Sequence, residues 1–154
     1  MCVWCGAPQE NRFRPAIDAL FRSAARTYGP RVLGVVLTAY LDDGTVGLQA
    51  IKKPGGVVIV QDPGEAEYPA MPRSAWRHVE VDHCPALSEI PALLFRLSNE
   101  PAQEEQTYSI PKAMEVESDI AEQGMNTKEF LDNVEEIGQR TTYSCPQCAG
   151  SIWQ

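Results

Sequence analysis

The sequence predicts an α/β fold in which short buried strands run parallel and helices connect them. Residues 32–38 (VLGVVLT) and 57–61 (VVIVQ) are apolar, rich in valine and of strand length, which is typical of strands buried on both faces. A stretch with helical spacing separates them, so that strand, helix and strand form one βαβ unit within about 30 residues. We expect residues 32–38 to be a central strand with neighbours on both sides, and the crossover to be right-handed.

Helical spacing before and between these strands predicts two helices. Residues 17–28 carry apolar side chains at i, i+3, i+4, i+7, i+8 and i+11, between Pro15 and Gly29-Pro30. Residues 45–53 place Val46, Leu48 and Ile51 where they can cover a sheet face, and Pro54-Gly55-Gly56 ends this short helix.

Residues 62–72 (DPGEAEYPAMP) are rich in Pro and Gly and predict a loop, followed by a helix at residues 73–78. Ser88 is expected to cap a helix that runs through Asn99, with Pro91 tolerated near its start. Beyond it we expect a linker at residues 101–111 and acidic helices at residues 114–123 and 127–137.

Charge is unevenly distributed along the 154 residues, which have room for one sizeable core. Residues 1–54 hold seven basic and four acidic side chains, whereas residues 101–140 hold three and ten. We therefore expect three parts: a folded domain at residues 1–99, an acidic helical linker at residues 100–141 and a short tail at residues 142–154.

Composition excludes several classes of function. The net charge of −8 argues against nucleic acid as a partner, because phosphate binding needs clustered positive charge. No apolar stretch approaches the roughly 18 residues of a membrane span, and the first residues lack the apolar segment of a secretory signal. We expect a cytoplasmic protein that contacts no membrane.

The five cysteines do not form a disulfide framework, but two C-x-x-C pairs are present. Cys145 and Cys148 lie in CPQCAG, whose spacing lets two thiolates bind one zinc ion. Cys2 and Cys5 can complete a four-cysteine site if the termini meet, although chance explains their spacing better. Cys84 is expected to be a small buried apolar residue.

Asp42 and Asp43 lie shortly after the carboxyl end of the first predicted strand. Ligand-binding groups gather at the carboxyl ends of parallel strands, so a carboxylate here can orient a catalytic histidine, bind a metal or cap the next helix. The spacing alone favours capping, which asparagine would serve about as well as aspartate.

Longer motifs point to a particular family. The segments ENRFRPAID, VVLT followed by DDG, AIKKPGG, VQDP and MPRSA resemble, from Glu10 to about Leu97, the catalytic domain of the CheB-type chemotaxis protein-glutamate methylesterases. Residues 114–153 resemble the carboxyl extension of some members, in which acidic helices precede a zinc knuckle. The resemblance implies part of a Rossmann-like, three-layer parallel sheet, followed by acidic helices and a zinc-knuckle-like tail.

The resemblance also implies a reaction and site residues. The resemblance implies a serine hydrolase that demethylates methylated glutamates on chemoreceptors. The reaction of this family needs no cofactor and uses a Ser-His-Asp triad. Asp43 falls on the triad aspartate, and Tyr40 falls on the position whose backbone N–H helps to bind the oxyanion. Ala39 and Leu41 stand where many members have glycine.

The serine and the histidine of the family lie upstream of ENRFRP, so we expect neither in this chain. This implies a fragment that is inactive alone, with chemoreceptors as partners of the complete enzyme. The alternative is a non-catalytic module that binds zinc or another protein. An unpaired apolar strand at the sheet edge would also favour self-association.

Overall fold

The computed structural model describes residues 16–102, 115–116, 140–144 and 151–153. The chain divides into two compact units, one of Gln9–Ser109 and the other of Met1–Pro8 with Ile110–Gln154. The expected boundaries near residues 99 and 141 stay predictions.

The first unit alternates helices and strands, as the sequence predicts. Its elements are α1 (Ile17–Tyr28), β1 (Leu33–Val36), α2 (Thr45–Lys52), β2 (Val57–Val60), α3 (Ala70–His78) and α4 (Ile90–Asn99). Among the described residues, no helix is both long enough and apolar enough to cross a bilayer.

The strands β1 and β2 are parallel and in register from Leu33 opposite Val57 to Val36 opposite Val60. Along β2, alternate N–H groups face away from β1, and the Val60 N–H donates to the His83 carbonyl at 2.9 Å. A parallel bridge joins Ile59 to His83 on the same side. Within the described ranges, β2 is therefore the internal strand and β1 has one strand neighbour, whereas the sequence suggested that residues 32–38 would be central.

The core lies between the sheet and α2. Leu48 and Ile51 of α2 are fully buried, as are Val58 and Ile59 of β2. A Cβ atom on Gly34 of β1 would lie 2.6 Å from the Ile51 Cδ1 atom, so the missing side chain allows the helix to approach the strand.

The helix α1 packs against α2 at Gly47. A Cβ atom at this position would lie 2.6 Å from the Phe21 Cβ atom and 3.0 Å from the Asp18 Cα atom. The two helices are thus closer together than any residue larger than glycine at position 47 permits.

Two helix boundaries differ from the sequence-based expectation. The helix α3 begins at Ala70 rather than at residue 73, because Pro72 lies in the first turn, where its missing N–H would have no intrahelical partner. The α-helix α4 begins at Ile90, after a short 3₁₀ turn at Leu87–Glu89, so Ser88 does not cap it. The Glu89 carboxylate instead accepts the Ala86 N–H at 3.0 Å.

The second unit contains two strands that the sequence analysis missed. The strands β3 (Arg140–Ser144) and β4 (Ser151–Trp153) pair antiparallel. The β-branched and aromatic residues of RTTYS were the available signal. The expected acidic helices lie outside the described residues, apart from Glu115 and Val116, which are helical.

Replacing Gly47 by alanine tests the close contact between α1 and α2. We expect Gly47→Ala to lower the free energy of unfolding by about 1–3 kcal/mol, since the new methyl group overlaps Phe21 and the backbone of Asp18. Val46→Ala is the control, because Val46 is 49% exposed on the same helix and should change stability by less than about 0.5 kcal/mol. Urea denaturation of the full chain measures both, and equal effects would contradict the packing described above.

Candidate active site

The candidate site lies at the carboxyl ends of β1 and β2, where loops lead to α2 and α3. In parallel α/β sheets this edge collects the loop groups that bind ligands. The loop after β1 spans residues 37–44 and carries both aspartates, while the loop after β2 spans residues 61–69.

Asp43 is buried, with 3% of its surface exposed, and its carboxylate binds the beginning of α1. The Ile17 N–H donates to Oδ2 at 2.7 Å, and the Asp18 N–H donates to Oδ1 at 3.2 Å. The expectation that this aspartate caps the helix following it is therefore wrong. Gly44, the residue before α2, has a φ of +94°, a turn that lets the Asp43 side chain reach a different helix.

Asp18 makes the reverse connection. Its carboxylate, 2% exposed, accepts the Gly47 N–H of α2 through Oδ1 at 2.6 Å. The start of α1 is thus capped by Asp43, which lies in the loop before α2, and the start of α2 is capped by Asp18 of α1. The helix α1 starts after Ala16 and α2 after Gly44, neither of which has a side-chain acceptor.

Gln61 holds the end of β1 in place, and sequence reasoning did not single it out. Its side chain is buried, and its Oε1 atom accepts the Thr38 N–H at 2.9 Å. Its backbone N–H donates to the Val36 carbonyl at 2.9 Å. A glutamine that ends a run of buried valines was the signal, because a polar side chain there needs a partner.

The loop after β2 holds the other side of the site. The Tyr68 N–H donates to the Thr38 hydroxyl at 2.7 Å, and the Ala39 N–H donates to the Tyr68 carbonyl at 3.1 Å. The Met71 N–H in turn donates to the Ala39 carbonyl at 3.1 Å. These bonds fix residues 38 and 39 against the start of α3.

Tyr40 extends from this fixed segment towards solvent. Its side chain is 63% exposed, and its ring lies against that of Tyr68, with centroids 4.2 Å apart and planes tilted by 39°. A hydrogen bond with the Tyr40 side chain, another with Glu67 and partial burial raise the pKa of Tyr68 above the usual value of a tyrosine. In the described part of the chain, the Tyr40 N–H has no acceptor within hydrogen-bond distance.

Leu41 has a φ of +68°, the left-handed region that side chains larger than glycine rarely occupy. This strain lies between Tyr40 and the two aspartates, within the loop that leads from β1 to α2. A leucine in this conformation costs about 1–2 kcal/mol relative to the right-handed region.

Within residues 16–102, the histidines and serines do not assemble into a nucleophile and a base. Among the serine side chains described in residues 16–102, none lies within hydrogen-bond distance of a histidine ring. Ser23 donates to the Leu20 carbonyl at 2.9 Å, and the Ser74 oxygen accepts the Thr45 hydroxyl at 3.1 Å. The last residue of α3 is His78, whose side chain is exposed.

The expected zinc ligands Cys145 and Cys148 lie outside the described residues. The described residues contain no cluster of three or more side chains suited to a metal ion. Cys84 is half-buried, and burial together with the negative charge of Asp62 raises the pKa of its thiol.

Comparison with known proteins identifies relatives for most of the first unit. Residues 4–94 match the family model described as CheB methylesterase. A putative protein-glutamate methylesterase/protein-glutamine glutaminase of Leptospira interrogans is 45% identical over 87 residues, which cover 56% of this chain and 45% of that protein. A Moorella thermoacetica protein-glutamate methylesterase/protein-glutamine glutaminase is 54% identical over 63 residues, covering 41% of this chain and 15% of the relative.

A solved structure shares the fold. The crystal structure of the Thermotoga maritima CheB methylesterase catalytic domain superimposes with a TM-score of 0.57 at 32% identity, over 59% of this chain and 48% of that domain. The chain therefore spans less than half the length of these relatives.

The capping role of Asp43 predicts a loss of stability on a conservative change. In Asp43→Asn one of the two helix N–H groups would face an amide NH₂ instead of an oxygen. A buried donor left unpaired costs about 1–3 kcal/mol, and we expect the free energy of unfolding to fall by that amount. Asp42→Asn is the matched control, because Asp42 is exposed and should change stability by less than about 0.5 kcal/mol. Urea denaturation of the 154-residue chain compares the two, and identical unfolding curves would refute the cap.

Proposed function

This chain belongs to the CheB methylesterase family, and on that premise we propose that it supplies the carboxyl-terminal part of a protein-glutamate methylesterase active site. The relatives are named for methylesterase and glutaminase activity. Both reactions transfer a glutamyl acyl group to water, releasing methanol from a methyl ester or ammonia from an amide. The proposed substrates are methylated glutamates and glutamines on chemoreceptors.

The fixed carboxylate of Asp43 is the observation that carries the proposal. A triad aspartate must accept the Nδ1–H of the histidine and complement the positive charge that develops on the ring. The resemblance to the family is what assigns this role to Asp43, which lies in the loop after β1 and is almost fully buried. The N–H groups of Ile17 and Asp18 hold its two oxygens, and the positive end of α1 complements its negative charge. In the proposed complete site the imidazole N–H is a further donor to this carboxylate, whose two oxygens together offer about four acceptor positions.

The backbone of Tyr40 is the proposed oxyanion donor. When the serine attacks the ester or amide carbonyl, negative charge develops on the carbonyl oxygen, and an N–H group already aimed at that position stabilises the transition state. The Tyr40 N–H has no acceptor in the described part of the chain, and the bonds of Thr38 and Ala39 to Tyr68 hold the preceding backbone. The changed side chain leaves this backbone donor intact.

The nucleophile and the base are proposed to come from a segment preceding Glu10. In the family that segment carries the serine that attacks the carbonyl and the histidine that takes its proton. The first unit of this chain offers no such pair among its described residues, and the chain spans less than half of its relatives. We infer that the catalytic site is complete only when both parts are present.

A fused chain tests the role of Asp43. The amino-terminal part of the Leptospira interrogans relative is placed ahead of Glu10, and hydrolysis of methylated receptor glutamates is followed by methanol release. Asp43→Asn should lower turnover by roughly two to four orders of magnitude, because the amide favours the wrong imidazole tautomer and offers no negative charge. Turnover is referred to the folded fraction measured by circular dichroism, since this substitution is also expected to lower stability.

Asp42→Asn in the same fusion should cost less than about tenfold. Equal losses at the two positions would show that the alignment with the family is displaced by one residue. The 154-residue chain alone should hydrolyse neither methylated receptor glutamates nor simple esters, and turnover that a serine-directed inhibitor abolishes would contradict the split site.

Zinc binding is the second candidate function, and the strand pairing in the second unit favours it. The strands β3 and β4 pair antiparallel, and the sequence between them contains Cys145 and Cys148. Two thiolates separated by two residues in the sequence are half of the four ligands that a structural zinc site needs. A complete site therefore requires two further ligands, from a second copy of the chain or from elsewhere in it.

Metal titration tests this second function. We expect up to about one zinc ion for every one or two chains, and Cys145→Ser or Cys148→Ser should abolish binding. Cys84→Ser should leave the stoichiometry unchanged. A refolded chain that remains free of metal in excess zinc would contradict the proposal, while an equal loss in Cys2→Ser would favour a site shared by the two termini.

A further inference from the structure

The reciprocal caps between α1 and α2 assign a role to Asp18. We propose that Asp18 is a positioning residue: its carboxylate holds the first turn of α2 against the first turn of α1 and so fixes the orientation of the Asp43 carboxylate. The catalytic consequence rests on the proposed function of Asp43, whereas the coupling itself is a property of the fold.

The hydrogen bonds close a ring. The Asp18 N–H donates to the Asp43 carboxylate at 3.2 Å, and the Asp18 carboxylate accepts the Gly47 N–H at 2.6 Å. The backbone from residue 43 to residue 47 completes the circuit. Because one residue provides both links, the first turns of the two helices cannot separate without breaking one of these two bonds.

The Gly47 N–H has no partner within its own helix. The first intrahelical bond of α2 is donated by Leu48 to the Gly44 carbonyl at 2.9 Å, so Gly47 is the last of the orphan donors at the N-terminus. Gly47 is buried, and its α-carbon lies against the backbone of Asp18. Removing the Asp18 carboxylate therefore leaves a buried donor unsatisfied and releases the first turn of α2, which follows Asp43 directly.

A released turn would affect the reaction through the orientation of Asp43. A triad aspartate stabilises one histidine tautomer only when an oxygen lies in line with the imidazole N–H, and small displacements of a catalytic group reduce the rate strongly. Such a change lowers kcat and leaves the binding of the substrate protein, and hence KM, nearly unaffected.

Amide hydrogen exchange in the 154-residue chain tests the coupling. In Asp18→Ala the Ile17 amide, which donates to Asp43, should exchange at least about tenfold faster, while the Val58 and Val60 amides of β2 change less than about twofold. Asp18→Asn retains an oxygen that can accept the Gly47 N–H and should restore slow exchange at Ile17. Asp62→Ala is the matched control, because Asp62 likewise accepts a glycine N–H, that of Gly64 at 2.7 Å, at an exposed site.

A purely structural role predicts a different pattern. If Asp18→Ala accelerates exchange equally at Ile17 and in β2, the residue merely stabilises the fold and the positioning role is overturned. The same conclusion follows if exchange at Ile17 does not change.

Kinetics of the fused chain provide the second arm. Asp18→Ala should lower kcat at least about tenfold with KM within about twofold, and Asp18→Asn should recover most of the loss. Full activity in Asp18→Ala would overturn the positioning role. An inactive parent fusion would count against the proposed function of Asp43. The coupling between Asp18 and Asp43 would still be decided by the hydrogen-exchange measurement, which needs no catalytic activity.

Discussion

The exchange of caps between two buried carboxylates is the interaction on which the candidate site depends. Both helices begin after residues whose side chains offer no acceptor, so their first N–H groups need partners from elsewhere in the chain. The Asp43 carboxylate accepts N–H groups from the first turn of α1, and the Asp18 carboxylate accepts one from the first turn of α2. The hydrogen bonding of each helix start therefore depends on the other helix start. The contact between α1 and α2 therefore fixes the loop that carries Asp43, and the same contact buries one face of α1.

A second group of bonds fixes the neighbouring part of the same loop. Gln61 and Tyr68 bind the backbone and hydroxyl of Thr38, and the start of α3 binds Ala39. Between these anchored residues and Asp43 the chain passes through Leu41 in a left-handed conformation. Strain of this kind persists only where the surroundings determine the backbone, and here both flanking segments do so.

Family membership and local geometry carry different parts of the functional argument. The family points to acyl transfer from glutamyl esters and amides, while the geometry supplies a rigid, buried carboxylate and a backbone donor without a partner in the described ranges. The exposed Tyr40 ring lies against Tyr68 and adds an aromatic surface beside the proposed oxyanion donor.

The sequence by itself determined what depends on short-range pattern. The spacing of Ile17, Phe21 and Ala25 predicted α1, and the valine runs predicted both parallel strands to within two residues of their ends. The motif around Asp42 and Asp43 placed an aspartate at the carboxyl end of β1. Helix starts were less accurate, because proline in a first turn is compatible with both a loop and a helix.

Only the tertiary structure decided what the side chains of that motif bind. The partner of Asp43 is a helix that begins 26 residues earlier, and the partner of Asp18 lies 29 residues later. No local rule relates such distant positions, since spacing favours the nearest helix as the one to be capped. These pairings form once the helices pack, because α1 approaches α2 closely at Gly47 and the chain turns at Gly44. The same limit hid Gln61, whose side chain binds the Thr38 N–H, 23 residues earlier in the loop after β1.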